Sequence, residues 1–307
     1  TVKNQWFHEI IEWCDKEAYL TQVLSTGKEK ALPGFQVYVA TYEYVKNENA
    51  FDMIDGLNTL VLDECQRIKN HLSGRAKAVQ KVAARVDNII GLSATPIKNN
   101  AGEYFTILNI LQPTRFPEYS RFLREYCDYI ETAHGYKVGG LKNPELFYSM
   151  TADFIVRRTR AEVAPELPKV FRQFYHVELD KKLNNAYSQG MKELEELMYN
   201  EDGFGSMAAK IAIMTKLRKI TGISKANVEC VDYVTNFLQE NDKKIVIFLH
   251  HKAAAALLEA NLNKWINEAG NGYKPILSLN ASLTADERAE VVRKFREEGY
   301  RILIAST

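Results

Sequence analysis

Two apolar runs of this 307-residue chain end in side chains able to do phosphoryl-transfer chemistry. Leu60-Val61-Leu62 reads as a buried strand whose carboxyl end delivers Asp63 and Glu64, followed by Cys65 and Gln66. Ligands of parallel α/β sheets bind beyond the carboxyl ends of strands, so the acids would emerge where a nucleotide sits. Asp63 suits the holding of magnesium, directly or through water, and Glu64 the orienting and deprotonating of an attacking water. An acid pair that merely ends a strand and caps a helix would look the same.

A second run, Ile89-Ile90-Gly91-Leu92, ends in Ser93-Ala94-Thr95-Pro96. The hydroxyls of Ser93 and Thr95 can hydrogen-bond across to the acids or to Gln66, as a coupling relay would. Ser and Thr before Pro is also a plain helix start. Two such strand ends in this order are far harder to obtain by chance than either alone.

The elements that must position these residues follow from the pattern. Val37 to Ala40, Leu60 to Leu62, Ile89 to Leu92 and Ile245 to Leu249 are short non-alternating apolar runs, expected as parallel strands covered on both faces. Helical patterns such as Gly74 to Val86 lie between them, which predicts α/β units. From about Ala101 to Val163 aromatics recur at helical spacing and predict a helical core. Phe171 to Leu179 alternates as a strand would, and Leu183 to Ile220 is a long helical stretch interrupted near Gly203 and Gly205. A helix over Lys252 to Trp265, a strand near Ile276 to Leu279, a helix over Thr284 to Phe295 and a strand over Ile302 to Ala305 then make a second α/β region.

Composition bounds the rest. A hydrophobic share of 46% suffices for two cores, and a net charge of +1 leaves any nucleic-acid contact to a local patch. No apolar stretch is long enough to span a bilayer and no signal-like segment opens the sequence, so an intracellular setting, cytoplasmic or nuclear, is expected. Four scattered cysteines without CxxC spacing predict reduced thiols rather than zinc ligands or disulfides. Thr1 in place of methionine, and a strand-like end at Thr307, read as cuts through a longer chain.

Asp63 to Asn70 resembles the Walker B box of the Swi/Snf-type family of superfamily-two helicase-like ATPases, and Gly91 to Asn100 resembles its third motif with the trailing Asn-Asn. Trp6 and Glu9 resemble the Trp-x-x-Glu after motif Ia, and Ala40 to Glu43 the Thr-Tyr-Glu box. Leu108 to Phe116, the Arg-Arg-Thr at Arg157, Arg158 and Thr159, Lys244 to Leu249 as motif IV, Asn280 to Phe295, and Ser306-Thr307 as the start of motif V extend the likeness along nearly the whole chain. The segments Ile223 to Ala226 and Phe248 to Lys252 resemble the annealing-helicase branch.

The resemblance implies two RecA-like parallel-sheet lobes, both incomplete, with Swi/Snf-type helical insertions. The first lobe would cover 1–113, a helical insertion and interlobe segment 114–168, and the second lobe 169–307 with an insertion at about 181–222. It implies ATP and Mg2+ as cofactors and double-stranded DNA as a partner gripped by shape and backbone. Thr41, His250, Ser282 and Thr307 would contact DNA. Arg157 and Arg158 would lie between the lobes, touching nucleotide, DNA, nearby acids or a structural ion-pair partner.

Two departures stand out. Cys65-Gln66 replaces the usual small residue and His, which keeps a hydrogen-bonding side chain. No G-x-x-x-x-G-K-[ST] loop occurs, Gly27-Lys28 reading as a surface turn, and the arginines of a sixth motif are also missing. An ATP-dependent DNA translocase in the intact protein, inactive as this segment alone, is therefore the leading expectation. A nucleotide-free scaffold, an RNA helicase and a restriction-type translocase are the alternatives.

Overall fold

Strand β1 (Thr21–Leu24) pairs in parallel with β2 (Val37–Ala40), and β3 (Thr59–Leu62) pairs in parallel with β4 (Asn88–Gly91). The computed structural model that carries these pairs describes residues 2–14, 20–25, 29–47, 56–97, 99–133, 135–179, 181–199, 203–270 and 272–306. It divides into two units, Val2–Pro168 and Lys169–Thr307. The chain is of the α/β class expected from its strand and helix order.

In the first unit, helices α1 (Val2–Trp13) and α2 (Tyr42–Val45) accompany the β1–β2 pair, and α3 (Gly74–Ala83) and α4 (Tyr104–Leu111) accompany β3–β4. Ser73 starts α3 by accepting a hydrogen bond from the Ala76 amide at 3.2 Å, which satisfies one of the free amides of a helix start. Ala76 and Val79 of α3, Ile107 and Ile110 of α4, and Leu62 and Ile68 then bury one another. This packing covers one face of β3–β4. On the opposite face Val61 stays 46% and Ile90 49% exposed, so the expectation of strands covered on both faces is corrected here. An apolar run shows that both faces could be covered, whereas coverage itself depends on elements elsewhere in the chain.

The region expected to be helical throughout carries α5 (Tyr119–Tyr126), α6 (Pro144–Thr151) and α7 (Arg160–Val163), but between α5 and α6 it forms an antiparallel hairpin, β5 (Cys127–Thr132) with β6 (Gly135–Leu141). Gly135, at φ +121°, opens β6 in a conformation closed to other residues. The aromatics do pack inward as expected. Phe105, Phe116, Phe122 and Phe147 form one buried cluster with ring centroids about 6 Å apart.

In the second unit the strands β7 (Ile245–Leu249), β8 (Leu277–Leu279) and β9 (Ile302–Ser306) form a parallel sheet in the order β7-β9-β8. Central β9 is buried from Ile302 to Ala305. Helices α10 (Glu229–Glu240) and α11 (Lys252–Ala269) supply Leu238, Leu258 and Leu262 to its core. Edge strand β7 again has an open face, with Val246 43% and Phe248 74% exposed. The long helical stretch is two helices, α8 (Lys181–Tyr199) and α9 (Gly203–Asn227), and α12 (Ala285–Glu297) precedes β9.

The strand expected over Phe171 to Leu179 is absent. The segment is irregular, with Phe171 89%, Phe174 88% and Tyr175 63% exposed. Alternation prepares a segment for pairing, and among the described residues no strand pairs with it. All four cysteines are free thiols, and burial pushes those of Cys65 and Cys127 up to about 11. No helix among the described residues is long and apolar enough to cross a membrane.

Candidate catalytic turns and a basic edge

Parallel pairing sets the carboxyl ends of β3 and β4 side by side, with Leu62 opposite Gly91. Two further backbone bonds carry the ladder past the strand ends. The Leu92 amide donates to the Leu62 carbonyl at 2.8 Å, and the Cys65 amide to the Leu92 carbonyl at 2.9 Å. The turn holding Asp63 and Glu64 is thereby fixed beside the turn holding Ser93 and Thr95.

A line of hydrogen bonds runs between the two turns. The Gln66 side-chain amide donates to Glu64 Oε2, Ser93 Oγ donates to Gln66 Oε1 at 2.6 Å, and the Thr95 main-chain N–H donates to Ser93 Oγ at 3.2 Å. Gln66 is 8% exposed, so its amide works where water competes little. Thr95 enters the line through its backbone rather than its hydroxyl. Glu64 has φ 49° and ψ 48°, which makes it the one non-glycine residue with positive φ among the described residues. Such a left-handed residue costs on the order of 1 kcal/mol or more and persists only where its surroundings hold it.

The holding groups include residues to which the sequence reading gave no role. Trp6 Nε1 donates to Asp63 Oδ2 at 2.9 Å, the Tyr42 hydroxyl donates to the Asp63 carbonyl at 2.7 Å, and the Glu64 amide donates to Asp63 Oδ1 at 2.9 Å. Trp6 and Tyr42 lay inside segments that carried the family resemblance, which was the only signal available for them. Behind the turns, Glu103 accepts from Lys69 Nζ, from the Asn99 amide at 3.1 Å and from Asn99 Nδ2 at 2.7 Å. It ties the segment after Gln66 to the segment after Thr95.

The donor set suits a magnesium ion. A carboxylate has about four lone-pair positions, and the bonds to Trp6 and Glu64 use two of those on Asp63. Among the described residues no group of three or more His, Cys, Asp or Glu side chains could cage a metal by itself. Magnesium is commonly held by one or two carboxylates, with water and substrate phosphates completing its shell.

In the second unit, parallel pairing sends the segments after β7 and β8 out at the same edge of the sheet. His250 follows β7. Its ring meets that of His251 edge-on at 4.9 Å, and both line an open recess of about 330 Å3 with Arg218, Thr221 and Lys225 of α9. Ser282 follows β8 in a turn where its amide donates to Asn280 Oδ1 at 3.0 Å. Two strands' width separates the exits of β7 and β8, because β9 lies between them. Thr307 lies outside the described residues, as does the Gly27-Lys28 turn. Thr41, in the first unit, caps α2 by accepting from the Tyr44 amide at 3.1 Å. Arg157 and Arg158 are exposed between α6 and α7, with Arg158 Nη1 on the Arg157 carbonyl at 3.1 Å.

A family model for the SNF2-related domain matches residues 1–224, and one for the helicase conserved C-terminal domain matches residues 227–307. The chain is 23% identical over 309 aligned residues to the DNA annealing helicase and endonuclease ZRANB3 of Mus musculus, covering 97% of this chain and 28% of that protein. It is 23% identical over 253 residues to the Caenorhabditis elegans homolog of SWI/SNF-related matrix-associated actin-dependent regulator of chromatin subfamily A-like protein 1, covering 81% of this chain and 35% of that protein. Among solved structures it is similar to the Sulfolobus solfataricus SWI2/SNF2 ATPase core in complex with dsDNA, at 19% identity and a TM-score of 0.45, covering 99% of this chain and 64% of that one. The chain thus spans about a third or less of the length of these curated relatives.

Proposed function

The chain belongs to the SNF2-related family, and on that premise we propose that it is part of an ATP-dependent motor that translocates on double-stranded DNA and remodels it. The observation that carries the reading is the hydrogen-bonded line from Glu64 through Gln66 to Ser93 at the paired ends of β3 and β4. Two strand ends that merely capped helices would have no need of a buried glutamine bonded to both of them. The names of the ZRANB3 and SWI/SNF-related relatives support DNA as the partner, and the resemblance of Phe248 to Lys252 supports the annealing-helicase branch.

Asp63 is assigned to magnesium, whose bound ion would neutralise charge on the ATP phosphates. Glu64 is the general base that would deprotonate the attacking water, its backbone held in the left-handed region and its carboxylate bonded by the Gln66 amide. Gln66, Ser93 and Thr95 form the coupling element, since a shift of either turn stretches the Ser93–Gln66 bond and moves the base. Thr41 in the first unit, and His250, Ser282 and Thr307 in the second, are assigned to the DNA backbone, with Arg157 and Arg158 working between the lobes. The lobes are taken as 1–113 and 169–307, joined by 114–168.

The test is ATP hydrolysis by the full-length protein with and without duplex DNA. Glu64→Gln keeps size and a hydrogen-bonding oxygen but removes the basic carboxylate. It is expected to lower DNA-stimulated turnover by about 10² to 10⁴ and leave ATP and DNA binding in place. A variant that hydrolyses ATP at the parental rate removes Glu64 as base. A full-length protein with no ATPase removes the motor reading, and stimulation by RNA in place of duplex DNA reassigns the track.

A further inference from the structure

Asp63 and Glu64 are joined by a peptide unit gripped at both ends. Its carbonyl accepts the Tyr42 hydroxyl at 2.7 Å, and its N–H donates to the Asp63 carboxylate at 2.9 Å. A peptide unit is rigid and planar, so these two bonds together fix its orientation. That orientation decides whether Glu64 stays in its left-handed conformation, φ 49°, or relaxes to an ordinary one in which its carboxylate lies elsewhere. The bond on the N–H side is internal to the turn. The bond on the carbonyl side comes from another element, at the start of α2, 21 residues earlier in the chain.

Tyr42 directly follows Thr41, whose hydroxyl oxygen holds the first turn of α2 through the Tyr44 amide at 3.1 Å. A displacement of that helix start moves the Tyr42 ring, and with it the hydrogen bond that reaches the acid-turn carbonyl from outside the turn. Trp6 holds the same aspartate from α1, but through the carboxylate Oδ2 rather than the backbone. The two aromatic donors therefore act on different properties of the turn, Trp6 on the acid itself and Tyr42 on the backbone that aims its neighbour.

We propose that Tyr42 is a positioning residue that transmits the state of the Thr41 helix start to Glu64 through the Asp63 carbonyl. This rests on the proposed function, in which Thr41 faces DNA and Glu64 activates water. Contact at Thr41 then tightens the Tyr42–Asp63 bond and settles Glu64 in its working conformation, and without that contact the turn is free to relax.

The experiment uses the full-length protein with Tyr42→Phe, which removes one oxygen and keeps the ring. ATP hydrolysis is measured with and without duplex DNA, beside duplex affinity and the thermal midpoint. Loss of a single hydrogen bond is expected to lower DNA-stimulated kcat by about three- to tenfold, while the unstimulated rate falls by less than about twofold and duplex affinity holds. Trp6→Phe is expected to raise the KM for ATP and to leave the stimulation ratio within about twofold of the parent. An unchanged ratio in Tyr42→Phe, equal losses with and without DNA, a collapsed thermal midpoint, or the same loss of ratio in Trp6→Phe each overturns the proposal. A parent protein that DNA does not stimulate removes the functional reading beneath it, which is a different result from a stimulated parent matched by an equally stimulated Tyr42→Phe.

Discussion

The acid turn of the first unit and the basic edge of the second both lie at the carboxyl ends of parallel strands, yet they are built differently. At the acid turn β3 and β4 are adjacent, and their ladder continues past the strand ends until Gln66 and Ser93 bond directly at 2.6 Å. At the basic edge β9 separates β7 from β8, and His250 and Ser282 are each arranged by their own turn. Adjacent parallel strands deliver side chains at bonding distance, which suits groups that must act together on one water. Strands one apart deliver them to a surface, which suits separate contacts along a backbone. The first arrangement should respond to a single substitution as a unit, and the second contact by contact.

The largest effect after the loss of Glu64 itself is expected at the junction of the two first-unit turns. Ser93→Ala removes the donor to Gln66 and the acceptor of the Thr95 amide in one change. DNA-stimulated hydrolysis by the full-length protein should fall about tenfold, the scale of one or two hydrogen bonds. Combining it with Gln66→Ala should add little, because members of one network are not additive. Fully multiplicative losses in that double-variant cycle would break the picture of a unit.

What could be read beforehand follows the same division. The apolar runs ending at Leu62 and at Leu249 were legible because a run without alternation names a strand, and a strand end names the next residues as exposed to a site. The partners of Asp63 were not. The Trp6 bond spans 57 residues and the Tyr42 bond 21, and no local pattern encodes which distant donor meets a given acid. β1 escaped because Thr21-Gln22-Val23-Leu24 is half polar. The hairpin at Cys127–Leu141 escaped because Tyr119, Phe122, Tyr126 and Tyr129 recur at three- and four-residue spacing, which continues the pattern of α5 into the first strand. Phe171 to Leu179 shows the converse error, since alternation is a property of the segment while pairing requires a neighbour.

At the basic edge a smaller and separable effect is expected. Arg218 and Lys225 line the same recess as His250, and phosphate contacts add through released counterions. Lys225→Ala should weaken duplex binding uniformly across sequences and reduce the slope of log affinity against log salt by about 0.9, with Arg218→Ala doing the same independently. The unstimulated ATPase rate should not change. An unaltered salt slope in both variants would remove this recess from the DNA path and leave the edge without its proposed role.

The smallest effect concerns the turn that carries Ser282. Thr284 begins α12 with a reciprocal cap, in which Glu287 accepts from the Thr284 amide at 2.7 Å and its hydroxyl at 2.8 Å, while the Glu287 amide donates back to Thr284 Oγ1 at 3.3 Å. These bonds favour the ionised carboxylate and hold Glu287 below the usual carboxylate range. A group with a depressed folded-state pKa adds stability that is complete above its unfolded value, about 4.3, and is lost as pH falls through the folded value. Hydrogen exchange at the first amides of α12 should therefore be slow at neutral pH and quicken relative to the intrinsic rate as the solution is acidified below about pH 4. Thr284→Ala should show the faster exchange already at neutral pH, by about fivefold, the scale of losing one cap. The Cys65 amide is held instead by the Leu92 carbonyl across the paired strand ends, so it should keep its protection in that variant. If Thr284→Ala loosened Cys65 as well, the two regions would be coupled in the resting protein, and the contrast between a unit and a row of independent contacts would have to be given up.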